Sequence, residues 1–227
     1  MGVILHIETA TKNCSVALSK SGKRLVLKEH YSEKFSHSEK LHGFIQEVLE
    51  ETKMVMAALD AVAVSKGPGS FTGLRIGVAA AKGICFALDI PMIGINSLQI
   101  LSEQYQDPKE ALLFPLFDAR RMEVYTMVLN QKKEILKPTF AEVITPESFK
   151  EFSLDVPWIF MGEGAEKCKQ VLNASHIEYR SDLKHPNAGA MIGLAWKAFQ
   201  LQDFEDVAYF EPFYLKDFYT TARKIGN

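Results

Sequence analysis

The sequence predicts a mixed α/β fold built in two related halves, with helices on the faces of the sheets. Three observations carry this. A run of short strands at the start gives way to alternating helices and strands, the pattern of a mixed sheet with helical crossovers. The same order of elements begins again after a polar, proline-bearing stretch at 104–111. The 227 residues are 47% hydrophobic and 24% charged, which suits a packed core and argues against disorder.

The elements follow in chain order. "VILHIE" reads as a buried strand, "TATKNC" as a polar turn, and "SVALS" as a second strand; Ser21-Gly22 turns the chain into "RLVLKEHY". This is a three-stranded antiparallel meander. Ser36 with Glu39 has capping-box spacing, and Leu41, Phe44, Ile45, Val48 and Leu49 recur at the helical period. "LDAVAVS" is apolar without alternation, as expected of a parallel strand covered on both faces. A Gly-Pro turn follows, then a helix to about Leu88, the strand "IPMIGINS", and a helix from about Ser97. The boundary between halves is placed at residues 103 and 104. In the second half "LLFPLFDARRMEVYTMVLN" reads strand, turn, strand; "PWIFMGEGAEKCKQVL" reads strand, Gly-x-Gly turn, helix; "NAGAMIGLAWKAFQ" is a further helix. That last helix is expected to reach back across the first half.

Formal net charge is -2, so no basic excess exists to grip a nucleic acid backbone. Cys14, Cys85 and Cys168 are scattered and form no CxxC pair, so neither a zinc site nor a disulfide framework is indicated. A reducing, cytoplasmic setting fits best. No signal peptide is seen, and no apolar run is read as approaching the ~18 residues of a membrane span.

"KGPGSFTGLRIG", Lys66 to Gly77, is the densest glycine segment. The P-loop pattern fails, because Gly69 and Gly73 are too close and Leu74-Arg75 stands where Lys-Ser/Thr should. The dinucleotide fingerprint fails at Thr72. What remains is a tight turn with Thr72 as N-cap, followed by a small-residue stripe of Gly73, Gly77 and Ala81. Close packing is preferred over anion binding at the helix N-terminus.

"ILHIETATKNCSVAL", the segment from Val64 to Leu98 and "DARRMEVYT" together resemble the TsaB family, with "EPFYLKD" similar to its closing segment. The resemblance implies an actin-like ATPase fold (the sugar kinase, Hsp70 and actin class), with related subdomains at 1–103 and 104–227. It implies a non-catalytic partner and activator of TsaD in forming threonylcarbamoyladenosine at position 37 of tRNAs that read codons beginning with adenine. It also implies TsaE as a further partner, homodimerisation when TsaD is missing, and tRNA contact only through the complex. No cofactor is expected on this chain alone; ATP or ADP and a metal are expected in TsaD. TsaD-like proteins place two metal-binding histidines one helical turn apart after the strand that matches "PMIGIN". The matching positions here are Ser97 and Leu101, which cannot supply imidazoles. The alternatives are a free-standing ATP-dependent phosphotransferase and, with those ligands absent, a disfavoured metallopeptidase.

No residue is assigned as catalytic or metal-binding. The expected partner surface comprises Ser38, Leu41, Ile45, Gly73, Ile76, Gly77 and Ala80, with Leu41, Ile45 and Ile76 exposed. The cleft or nucleotide-proximal set is Glu8, Thr9, Gly67, Gly69, Ser70, Asp118 and Arg120. Glu8 replaces the usual Asp, so its carboxylate would reach about one C–C bond further out. Asp118, Arg120, Arg121 and Glu123 make either a cleft-facing turn or a solvated hairpin. His30, His37 and His42 are expected on the surface, Ser70 and Thr72 in turn and capping roles, and Cys14 as a buried small hydrophobe.

Overall fold

The computed structural model describes residues 2–33 and 37–216. Its first half forms a sheet of β1 (Val3–Glu8), β2 (Asn13–Lys20), β3 (Lys23–Tyr31), β4 (Ala61–Gly67) and β5 (Met92–Asn96), in the order β3-β2-β1-β4-β5. The meander is antiparallel, while β4 and β5 run parallel to β1. The second half repeats this with β6 (Leu112–Asp118), β7 (Glu123–Asn130), β8 (Ile135–Val143), β9 (Trp158–Met161) and β10 (Ile177–Arg180). The second sheet is ordered β10-β9-β6-β7-β8. From its other edge this is third, second, first, fourth and fifth strand of its half, the order of the first sheet. Two copies of one sheet in one chain make the actin-like ATPase fold.

Among the described residues, five α-helices accompany the sheets: α1 (His37–Thr52), α2 (Phe71–Leu88), α3 (Ser97–Ser102), α4 (Ala165–Lys169) and α5 (Ile192–Leu201). Because side chains alternate along β1, Leu5 and Ile7 point to one face and Ile4, His6 and Glu8 to the other. The first face packs under α1 and α2, through Leu41, Ile45, Val48, Val78 and Ala81. The second packs under α5, where Ile4, Ala61, Ala63, Ile93 and Ile95 meet Met191 and Ala195. Both faces are thus covered, which is why every residue of β1 is buried. The second sheet has an aromatic core, with Phe114 ringed by Phe149, Phe152, Trp158 and Phe160. Its opposite face receives Leu98 and Leu101 of α3.

Three sequence expectations change, and a fourth falls outside the described residues. β8 is a full strand that the sequence reading passed over, as it did the short β10; the Pro138 within β8 is a residue tolerated only at a sheet edge. β8 is an edge strand, and the β7 ladder shifts register beside Pro138. Thr72 is not the cap of α2: Ser70 is, and its side chain accepts from the Gly73 amide at 3.2 Å. The proposed cap of α1, Ser36, lies outside the described residues. Finally, α2 has 18 residues and is, by length and composition alone, long and apolar enough to cross a membrane. In this fold it lies against β4 and α1, with Leu74, Val78, Ala81 and Cys85 buried.

Candidate functional site

Two regions matter: the cleft-side ends of the two sheets and the outer face of α1 and α2. The parallel strands β1 and β4 end side by side, so the turn after Glu8 meets the turn after Gly67. The Ser70 amide donates to the Ala10 carbonyl at 2.7 Å. A Cβ at Gly69 would lie 2.5 Å from that same carbonyl oxygen, and one at Gly67 would lie 2.6 Å from the Phe213 carbonyl oxygen. Gly67 also has φ +112°, which disfavours any side chain. The Gly-Pro turn is therefore filled by the chain's own backbone. Two further amides are engaged, Gly67 with the Ser97 hydroxyl at 3.2 Å and Gly73 with the Ser70 hydroxyl at 3.2 Å.

Glu8 and Thr9, both expected to face the cleft, are wholly buried. Rather than reaching further out, the Glu8 carboxyl folds back, and its Oε1 accepts from the Ala10 amide at 2.6 Å. Oε2 has no hydrogen-bond partner among the described residues. Burial pushes the Glu8 pKa up to about 8, against the pull of the Ala10, Ser65 and Thr9 groups. At neutral pH this group is chiefly a neutral acid, a poor anchor for a cation. Two residues away, His6 is also fully buried; burial holds its pKa down to about 3, so it is neutral, with Nε2 2.7 Å from the Ser19 hydroxyl.

In the second sheet, Asp118 and Arg120 lie at the exposed tip of the β6–β7 hairpin. Arg120 and Arg121 have positive φ, 68° and 50°, as a tight turn demands. Asp118 accepts from the Arg120 amide, and Lys167 of α4 closes the hairpin by donating to Asp118 Oδ1 and to the Arg121 and Glu123 carbonyls. The arrangement is a solvated hairpin with an ion pair at its base. Ser97 and Leu101 are buried, Ser97 holding the Gly67 amide and Leu101 filling the core. Among the described residues, no three His, Cys, Asp or Glu side chains come together to hold a metal. Cys14 is buried and its pKa is raised to about 12, mainly by desolvation, so it is an unreactive core group. His37 is buried rather than on the surface; burial lowers its pKa while a bond to the Thr11 backbone opposes that.

On the helix face the expected contact residues divide. Leu41 and Ile45 are 0% and 3% exposed and belong to the core. Gly73 and Gly77 receive Thr9: a Cβ would lie 2.1 Å from its carbonyl oxygen and 2.3 Å from its hydroxyl oxygen. The small-residue stripe serves an approach of α2 to β1 within one chain, correcting its assignment as a partner surface. Ile76 and Ala80 are half-buried against the same core, and Ser38 is exposed. What α2 presents outward is Thr72, Arg75, Ala79, Gly83 and Phe86, the last 85% exposed. Beside them a groove of about 390 Å³ runs along the end of α1, lined by His42, Leu49, Met54, Val55, Met56 and Ile84 among others. Sequence reasoning missed Phe86 and Val55. Helical phase could have found Phe86, since it falls with Arg75 and Ala79, opposite the buried Leu74, Val78, Ala81 and Cys85.

Comparison with known proteins gives consistent results. The family model of TsaD, described as tRNA N6-adenosine threonylcarbamoyltransferase, matches residues 32–222. The chain is 27% identical to the tRNA threonylcarbamoyladenosine biosynthesis protein TsaB of Escherichia coli, over 94% of each chain. It is 31% identical to the protein of that name from Buchnera aphidicola (subspecies Schizaphis graminum), over 84% of this chain and 91% of the relative. For the Bacillus subtilis protein the identity is 32% over 74% of each. Among solved structures, YeaZ from Pseudomonas aeruginosa superposes with a TM-score of 0.81 at 26% identity, covering 95% of this chain and 100% of the other.

Proposed function

The chain belongs to the TsaB family, and from this we propose that it is the non-catalytic partner and activator of TsaD in tRNA threonylcarbamoyladenosine biosynthesis. The role in that biosynthesis follows from the relatives, whose shared name states it and which match over most of the chain. The observation that carries the non-catalytic part is the state of the cleft. Glu8 is buried and folded onto Ala10, the Gly-Pro turn is filled by backbone, and Ser97 and Leu101 are packing residues. A reacting centre would need converging polar groups open to substrate.

The partner surface in this reading is the outer face of α2 with the groove at the end of α1. Phe86 supplies an exposed aromatic anchor and the groove an apolar recess, the two parts from which interface hot spots are made. The same face serves self-association when TsaD is absent, with TsaE joining the complex of the two. Nucleotide and metal belong to TsaD, tRNA is met through the complex, and the setting is the cytoplasm.

Reconstitution tests this. tRNA, threonine, bicarbonate and ATP are incubated with the synthase that makes the threonylcarbamoyl adenylate, with TsaD and TsaE, and with or without this protein. Mass spectrometry of digested tRNA reports the modified nucleoside. Product that requires this chain, with none from the chain alone, supports the reading. Equal product without it would overturn the activator role.

A further inference from the structure

The hairpin between β6 and β7 matches the one between β1 and β2, since each joins the first two strands of its sheet. The first-half hairpin is tucked in, with Thr9, Ala10 and Thr11 buried. The second-half hairpin is exposed through Arg120, Arg121 and Met122. Both arginines sit at positive φ, 68° and 50°, where glycine, asparagine and aspartate are the usual occupants. The turn by itself therefore gives no reason for arginine. The flanking acids give none either, because other groups engage them. Asp118 accepts from the Arg120 amide at 2.6 Å and from Lys167 at 2.5 Å, and Glu123 is met by Lys216. Among the described residues, neither guanidinium has a hydrogen bond or an ion pair.

Resting on the role in tRNA modification argued above, we propose that Arg120 and Arg121 form a phosphate-docking tip, which touches the tRNA backbone when this chain is assembled with TsaD. Neighbouring guanidinium groups present planar forks that match phosphate oxygens, each able to donate two parallel hydrogen bonds. The tip offers charge without an apolar recess. Exposed apolar surface fit for a protein partner lies elsewhere, at Phe86 and in the groove beside α1. A phosphodiester backbone is the partner that such a tip fits. With a net charge of -2 the chain has no surplus to hold RNA alone. The two phosphate contacts instead add to a site held by the rest of the complex. Contacts of this kind fix the position of the RNA and carry no sequence information. They suit a subunit that steers the tRNA without taking part in the chemistry.

The test uses the full chain in complex with TsaD and a labelled tRNA that the reconstituted system modifies. Fluorescence anisotropy reads tRNA affinity over a series of potassium chloride concentrations. Arg120→Asn with Arg121→Gly removes both charges and gives each position a residue that accepts positive φ, so the hairpin keeps its shape. The expected result is weaker tRNA binding, with the slope of log affinity against log salt reduced by about 1 per arginine. Arg120→Lys with Arg121→Lys keeps the charges and should keep the parent's slope. Calorimetry should give both variants the parent's affinity for TsaD. A parental tRNA affinity and salt slope in the charge-free variant, in a complex whose product still depends on this chain, would overturn the phosphate contact and leave the activator role standing. Loss of TsaD affinity in that variant would overturn it as well, by making the tip a protein contact. Product that does not need this chain at all would overturn both.

Discussion

Gly73 and Gly83 stand in the same helix, yet their substitutions should have opposite signs. A Cβ at Gly73 would meet the Thr9 carbonyl at 2.1 Å, whereas at Gly83 nothing lies within 4 Å. Urea denaturation of Gly73→Ala is expected to show a loss of about 1–3 kcal/mol, the usual range for overpacking. Gly83→Ala should gain about 0.5–1 kcal/mol, because alanine has less backbone entropy to lose. Glu8 and His6 impose a second residue-scale signature, on pH. The folded state raises Glu8 from 4.5 to about 8, so the stability linked to its proton is intact below pH 4.5 and lost as pH rises toward 8. His6 is lowered from 6.5 to about 3, so its contribution is intact above pH 6.5 and lost as pH falls toward 3. Denaturation of Glu8→Gln at pH 5 and pH 8 should show a gain over the parent that is larger at pH 8. Equal gains at both would mean that Glu8 is not held protonated in the fold.

At the scale of an element, α1 and α2 separate core from contact surface by helical phase. Ile45→Ala removes a side chain that is 3% exposed and should cost about 2–5 kcal/mol in stability. Phe86→Ala removes one that is 85% exposed and should leave the thermal melt unchanged. Its effect belongs to association: titration calorimetry with TsaD should show affinity weakened about tenfold or more, the loss of a hot spot. Unchanged affinity would move the partner surface away from the outer face of α2. The helix itself was legible in the sequence, as was its tight approach to something nearby. What it approached was not legible. A stripe of Gly73, Gly77 and Ala81 reads the same whether its neighbour is β1 of the same chain or a helix of another.

For the whole molecule, the decisive arrangement is the return of the last helix. The sequence divides at 104–111 into halves of like order, and the structure gives each half its own sheet. The first sheet nevertheless has one face covered by α5, which lies after the second sheet in the chain. Residues 1–110 alone would expose Ile4, Ala61, Ala63, Ile93 and Ile95 to water. That fragment is expected to bind a hydrophobic dye and to unfold without a cooperative transition in calorimetry, unlike the full chain. A sharp melt from the fragment would show that the halves are independent domains.

The sequence by itself determined the class of fold, the duplication, most strands and helices, and the family, because hydrophobic period, turn residues and motif spacing are local properties. The edge strands β8 and β10 were passed over: a proline inside β8 and the shortness of β10 leave little local signal, and their pairing at the rims of the sheet is a long-range contact. Only tertiary structure decided which side of each element was inside. It turned Glu8 and Thr9 from cleft residues into buried ones, filled the Gly-Pro turn with the Ala10 and Phe213 backbone, and left Phe86 outside. Those outcomes depend on contacts between residues as much as 146 positions apart, Gly67 and Phe213 among them. Neither period nor spacing along the chain carries that information.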